Sequence, residues 1–299
     1  MTAGAAPVRA AVAAFGLSLV LPAGAEQGHG HVSVGLQFIH IDGFESTIGE
    51  LPIGTTDTQT LNVEVDYNLT DRLSVSAGLP LIRKRYQGPG AHDPTAFTPA
   101  RDSEFVDDGA YHTDLQDFHL GLHYSLDRPG SVLQITPFAS YSFPSNDYAF
   151  FGHAAVGQNL WKFDLGAAFV YAPHFSDYYL SASPSRVFVE KTLGVNISHW
   201  RLDLTAGYFV SPSIAVKLLV LIKEGGGADF PDDFPLPRNT ERWFQHDRLV
   251  KHNFINAGLG LDWSLSDRYG LSLSALRMVR ADQVHVMDYA LGAVLTRSF

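Results

Sequence analysis

From Leu61 to Leu81 the chain reads LNVEVDYNLTDRLSVSAGLPL. Leu61, Val63, Val65, Tyr67 and Leu69 alternate with Asn62, Glu64, Asp66 and Asn68. After Thr70-Asp71-Arg72 the alternation resumes with Leu73, Val75, Ala77, Leu79 and Leu81. A period of two gives a strand with one apolar and one polar face. Two such runs on a three-residue polar connection predict a hairpin. In a water-soluble sandwich the polar face would look to bulk water. In a transmembrane barrel it looks into a hydrated lumen, and the apolar face looks at lipid. The hairpin alone leaves both open.

The same alternation recurs and predicts twelve strands, at about 31–41, 61–69, 73–81, 114–125, 133–141, 159–171, 178–193, 201–210, 214–222, 255–263 and 271–278, with a last one ending at Phe299. The seventh is interrupted by Pro184 and the fifth contains Pro137, and proline removes a ladder donor. Trp161, Phe163, Leu165, Ala167, Phe169 and Tyr171 form a lipid face with aromatics at both ends, as barrel girdles require. Tight connections are expected at 70–72, 127–130, 211–213 and 266–268. Long ones are expected after the first, third, fifth and ninth strands. The first of these is a loop of about a dozen residues marked by Gly43, Gly49, Pro52 and Gly54. Short turns at one end and long loops at the other are the asymmetry of outer-membrane barrels. The expected fold is all-β: a transmembrane antiparallel up-and-down β-barrel of about twelve strands, with both termini periplasmic.

The two ends agree with export to an outer membrane. In residues 1–25 Arg9 is the single charge, AAVAAFGLSLVL follows, and Ala23-Gly24-Ala25 is a small-x-small cleavage pattern. That reads as a secretory signal peptide, too short to span a bilayer as a helix, and residues 26–299 are the expected barrel. The last strand ends in Phe299, with Leu291, Ala293 and Leu295 on its face. This resembles the terminal pattern of Gram-negative barrels, through which the barrel-assembly machinery is an expected partner. Arg297 departs from it.

Composition narrows the chemistry. The 299 residues include no cysteine, so disulfides and thiolate metal sites are excluded. A net charge of −10 without a basic patch argues against a nucleic-acid partner. On the alternation, Glu64, Asp66, Asp117, Asp164, Asp203, Asp262 and Asp288 point inward, joined by Lys162, Lys217, His119 and His123. Carboxylates outnumber bases, so a conducting lumen would favour cations or uncharged polar solutes. The same residues also fit a closed barrel filled by ion pairs, because buried charges must be paired. Both readings stand at this point. His119 and His123 share a face but lie about 13 Å apart, too far for one metal, and no cofactor or catalytic arrangement is expected. In the loops, Asp102, Glu104, Asp107 and Asp108 form one acidic cluster and Asp229, Asp232 and Asp233 another. These are solvated segments that could meet lipopolysaccharide through divalent cations. Membrane lipid and lipopolysaccharide are the expected surroundings.

The segments YNLTDRLSVSAGLPL and WSLSDRYGLSLS, with the loop FPSNDYAFFGHAAVG, resemble proteobacterial outer-membrane proteins related to the phenol meta-pathway, transporter-like family. The resemblance implies a barrel of about a dozen strands and the passage of small, often aromatic or hydrophobic compounds. It carries over no catalytic residues. The expected function is passive transport of a small solute whose identity the chain does not specify. The alternative is a structural or surface-interacting barrel with a closed, charge-filled lumen.

Overall fold

The computed structural model describes residues 27–127 and 131–299, together with two four-residue strands, Ala11–Ala14 and Leu17–Val20, which pair antiparallel. The signal peptide expected over residues 1–25 otherwise lies outside the described residues. So do residues 128–130 of the expected turn.

The alternating runs become twelve strands of one sheet. They are β1 (Gly30–Ser46), β2 (Gly49–Asn68), β3 (Leu73–Gln87), β4 (His112–Leu115 and Asp117–Tyr124), β5 (Leu133–Pro144) and β6 (Lys162–Tyr171). Then come β7 (Tyr178–Val189), β8 (His199–Ser211), β9 (Ile214–Gly225), β10 (Asn253–Ser264), β11 (Tyr269–Asp282) and β12 (Val284–Ser298). Each pairs antiparallel with its neighbours in sequence, and β12 pairs with β1, so no edge is left open. Closure lets every strand satisfy its backbone groups inside lipid. The seam is tied at its end by Gly30 and Phe299, which exchange backbone hydrogen bonds of 3.1 and 3.0 Å.

The register stacks like with like. Val63 lies opposite Val34 and Leu79, and Glu64 lies opposite Ser33 and Gly78. Val63, Leu120, Leu218 and Leu259 are exposed, whereas Ser33, Glu64, Ser76 and Thr205 are buried. The apolar face therefore points out and the polar face in, which reverses a soluble core and fits a bilayer-spanning wall. Exposed Tyr67, Tyr124, Tyr171, Tyr178, Tyr208, Trp263 and Tyr269 stand near the short-turn end of the strands. Tyr141, Trp161 and Trp200 stand toward the other end, so the two aromatic girdles are present.

Pro137 and Pro184 sit within β5 and β7 without ending them. Pro80 has a local effect: β4 breaks at Gln116, whose N–H donates to the Pro80 carbonyl at 2.9 Å. Proline has no N–H to return to the ladder, and the partner strand is interrupted there.

One expected element is different. The glycine-rich stretch after the first strand is not a loop. β1 and β2 continue to a tight turn at Thr47-Ile48, making β2 20 residues long. Gly43 adopts φ +77° at a register shift between Asp42 and Phe44. A glycine in the left-handed region forms a bulge that bends a strand without ending its pairing. The bulge turns Phe44 inward, where it is buried against Ala228, Phe234, Leu249 and Val250.

Candidate functional site: the capped lumen

The β3–β4 loop (88–111), the β5–β6 loop (145–161) and the β9–β10 loop (226–252) meet one another at the long-loop end. The first and third start half-way round the barrel from each other, so their contact crosses the mouth. Each gives an aromatic anchor. Phe97, Phe151 and Phe244 pack together, with Phe150 and Trp243 beside them. The third loop carries two short helices, α1 (Glu241–Phe244) and α2 (His246–Leu249), and the Thr240 side chain accepts from the Trp243 N–H at the start of α1. Arg248 ties this loop to the second, donating to the carbonyls of Gln158 and Asn159 at 2.6 and 2.7 Å. The inward side chains of β3 form two further contacts with the loops: Tyr86 packs with Val106, Ala154 and Ala155, and Ile82 with Tyr148 and Val156.

Asp107 is the polar pivot of this cap. Its buried carboxylate accepts from the His92 ring at 3.0 Å and from the backbone N–H groups of His92, His153 and Ala154 at 2.9, 3.1 and 2.8 Å. Burial alone would raise this carboxyl. The His92 hydrogen bond, the neighbouring His153 and the amide donors outweigh it and hold Asp107 below the usual carboxylate range. The expected acidic cluster at 102–108 is thus divided: Asp107 faces into the protein, while Asp108 bonds exposed-side His112 at 2.8 Å. Likewise Asp229 is engaged by Lys251 at 2.8 Å. Tyr148 in the second loop is buried and donates to Asp117. Burial first, then that carboxylate, pushes its hydroxyl well above the ordinary phenol range.

Beneath the cap lies a cavity of about 510 Å³. Of the expected inward residues, Glu64, Asp117, His119, His123, Lys162 and Asp164 line it. His119 Nε2 approaches Glu64 Oε1 at 3.8 Å, His123 Nε2 meets Ser76 Oγ at 3.3 Å, and Lys162 donates to Asp117 at 2.9 Å. Asp203 pairs with Arg201 at 2.8 Å. Lys217 and Asp262 form a separate buried pair at 2.6 Å, with Ser272 at 3.2 Å, between β9, β10 and β11. Asp66 meets His31 at 3.0 Å near the short-turn end. Asp288 is not brought to this group. It sits at an irregularity of β12 between Met287 and Tyr289 and is half-buried.

The lining also holds charges that the strand alternation omitted. Arg201, Lys223 and His199 face the cavity beside Lys162. Lys223 has no carboxylate within ion-pair distance among the described residues. Its ammonium lies 5.9 Å from the Phe254 ring. Arg201 and His199 begin β8, and Lys223 follows the expected end of the ninth strand. Arg201 opens the expected eighth strand on the inward parity, and extending the period of two by one turn of the pleat would have added His199 and Lys223. The lining therefore carries Glu64, Asp117 and Asp164 against Lys162, Arg201 and Lys223, and the expected acidic excess is absent there.

Comparison by sequence with curated proteins gives no match. Among solved structures, the chain is similar to an outer membrane channel from Pseudomonas putida F1, at 15% identity and a TM-score of 0.68, covering 93% of this chain and 98% of that one. It is also similar to the translocator domain of the autotransporter NalP from Neisseria meningitidis, at 12% identity and a TM-score of 0.52, covering 91% and 89%. The β domain of the Bordetella autotransporter BrkA follows at 10% identity and a TM-score of 0.50, covering 91% and 100%. At these identities the likeness is one of fold. Residues 55–220, from the upper part of β2 to the middle of β9, match the family described as "Putative MetA-pathway of phenol degradation", and the chain belongs to that family.

Proposed function

We propose that this protein is an outer-membrane channel for passive uptake of small, weakly charged solutes, aromatic compounds included. The observation that carries the reading is the cavity of about 510 Å³, lined by polar and apolar side chains together, inside a wall whose outer face is apolar. That volume suits one small organic molecule. A lining of Ser33, Asn62, Ser76, Ser140 and Ser142 among balanced charges offers hydrogen bonds without a strong net field. Family membership and the outer membrane channel of P. putida F1 support the same reading. In this proposal residues 1–25 direct export and are removed, and both termini lie in the periplasm. The long loops then face lipopolysaccharide, and the Phe299 strand is read by the barrel-assembly machinery.

A second reading, a closed structural barrel, has its own observation: the three long loops pack across the mouth. Planar-bilayer recording separates the two. Stepwise conductance that rises when residues 90–105 are deleted supports a gated channel. Silence of both the intact and the deleted protein favours the closed barrel.

A further inference from the structure

Two imidazole nitrogens, each fixed as an acceptor, face one another in the cap. His92 Nδ1 lies 3.0 Å from Asp107 Oδ2, and His246 Nδ1 lies 2.7 Å from the Trp243 carbonyl oxygen. A carboxylate and a carbonyl only accept, so both Nδ1 atoms carry the ring proton in the neutral form. Both Nε2 atoms then present lone pairs, and they stand 3.1 Å apart. Asp247 Oδ1 is 3.3 Å from His246 Nε2, and Asp247 Oδ2 is buried without a hydrogen-bond partner among the described residues. Three electron-pair donors from two loops therefore converge, with ligand atoms all within 4.8 Å of one another. Such a set repels itself unless a cation is shared among its members.

We propose that His92, His246 and Asp247 bind one divalent transition-metal ion, of the zinc class, which clips the β3–β4 loop to the β9–β10 loop across the mouth. Two imidazoles and a carboxylate, with one position left for water, are a donor set that zinc takes. Zn–N bonds of about 2.0–2.1 Å in a tetrahedron put two nitrogens about 3.3–3.4 Å apart, and the 3.1 Å separation here is within a few tenths of an ångström of that spacing.

The surroundings have the form of an outer shell. Asp107 and the Trp243 carbonyl hold the two rings by Nδ1, which fixes the tautomer and aims Nε2. Asp107 is already engaged by one ring and three backbone donors, so its place is behind His92 and not on the ion. His153 backs the cluster: its ring centroid is 4.2 Å from that of His92, and its Nδ1 is buried without a partner. No spacing motif announces the site, because His92 and His246 are 154 residues apart and only His246-Asp247 is contiguous.

The test uses the full-length barrel extracted from outer membranes in detergent, stripped with EDTA and titrated with zinc chloride. The expected result is one zinc per folded chain, retained through desalting and counted by elemental analysis. Cobalt in its place should give the visible absorption of a four-coordinate site. His92→Gln and Asp247→Asn should each weaken zinc binding by more than ~100-fold, and Asp107→Asn by ~10–100-fold, the range for an outer-shell partner. His112→Gln, in the same loop but on the Asp108 side, should change nothing. Heat-dependent mobility on gels confirms that each variant is folded. Failure of the folded, unmutated protein to retain zinc overturns the proposal and leaves a proton shared between the two Nε2 atoms. Retention that survives His92→Gln, or that falls with His112→Gln, overturns it as well.

Discussion

The His119 ring occupies the space above Gly78, so that a Cβ added at Gly78 would stand 2.2 Å from His119 Cε1. In the register Gly78 separates Glu64 on one side from His119 on the other. The missing side chain lets His119 cross the intervening strand and approach Glu64 at 3.8 Å. Gly207 gives Tyr179 the same room, with a Cβ there falling 2.1 Å from Tyr179 Cε1. Inward glycines thus receive their neighbours' larger side chains, and the lumen is shaped by pairs. Gly78→Ala should cost about 1–3 kcal/mol, the range for overpacking. His119→Ala in the same chain should restore most of it. Urea titrations in lipid vesicles of the two single variants and the double variant check this. Additive losses would show that the two positions do not compete for space.

On the outer face, Leu218 is exposed beside Leu259 and lies between the levels of the two aromatic girdles. Leu218→Arg should destabilise the barrel by roughly 2–4 kcal/mol, the cost of arginine near the bilayer midplane. Thr205→Ser, on the inner face, removes one methyl and should cost under about 1.5 kcal/mol. Equal losses from the two would reverse the assignment of faces.

The Lys217–Asp262 pair is buried, with the lysine side chain fully out of solvent. Lys217→Met leaves Asp262 without its cation and should cost about 3–5 kcal/mol. The double variant Lys217→Met with Asp262→Leu should recover most of that loss, because no charge is then left buried alone. A double variant no more stable than the single one would mean that packing, not charge, decides this corner.

With formal charges balanced on the cavity wall, the reversal potential in a potassium chloride gradient should stay near zero. Lys223, without an ion-paired carboxylate among the described residues, is the group whose loss should move it most. Lys223→Gln should shift selectivity toward cations, and the shift should shrink at 1 M salt, where screening acts within about 3 Å. A strong preference for either ion in the unmutated channel would mean that charges outside this cavity control passage.

The barrel was readable because its physical cause is local: every second side chain meets lipid, over and over. What was not readable has identifiable reasons. Gly43 looks like a terminator in sequence, yet a bulge uses the same left-handed glycine to continue a strand. Lys223, Arg201 and His199 sit at strand ends, where the period of two has the fewest neighbours to support it. The cap was invisible for a different reason. Its contacts join His92, Asp107, His153 and His246 from loops far apart in sequence, and no alternation runs through such segments. Asp107 and Asp108 look alike in the chain, and only folding assigns one to the interior and the other to His112.

The bulge at Gly43 also bears on the order in which the molecule assembles. It sends Phe44 of β1 against His285 of β12, with ring centroids 5.2 Å apart, and against Phe234 and Leu249 of the β9–β10 loop. β1 and β12 are the first and last strands, and their ladder forms only when the cylinder shuts. The roof leans on a post that reaches its place in that final step. One corner of the roof and the seam of the wall therefore share a single support, so loosening the seam at Phe44 also takes a prop from the outer mouth.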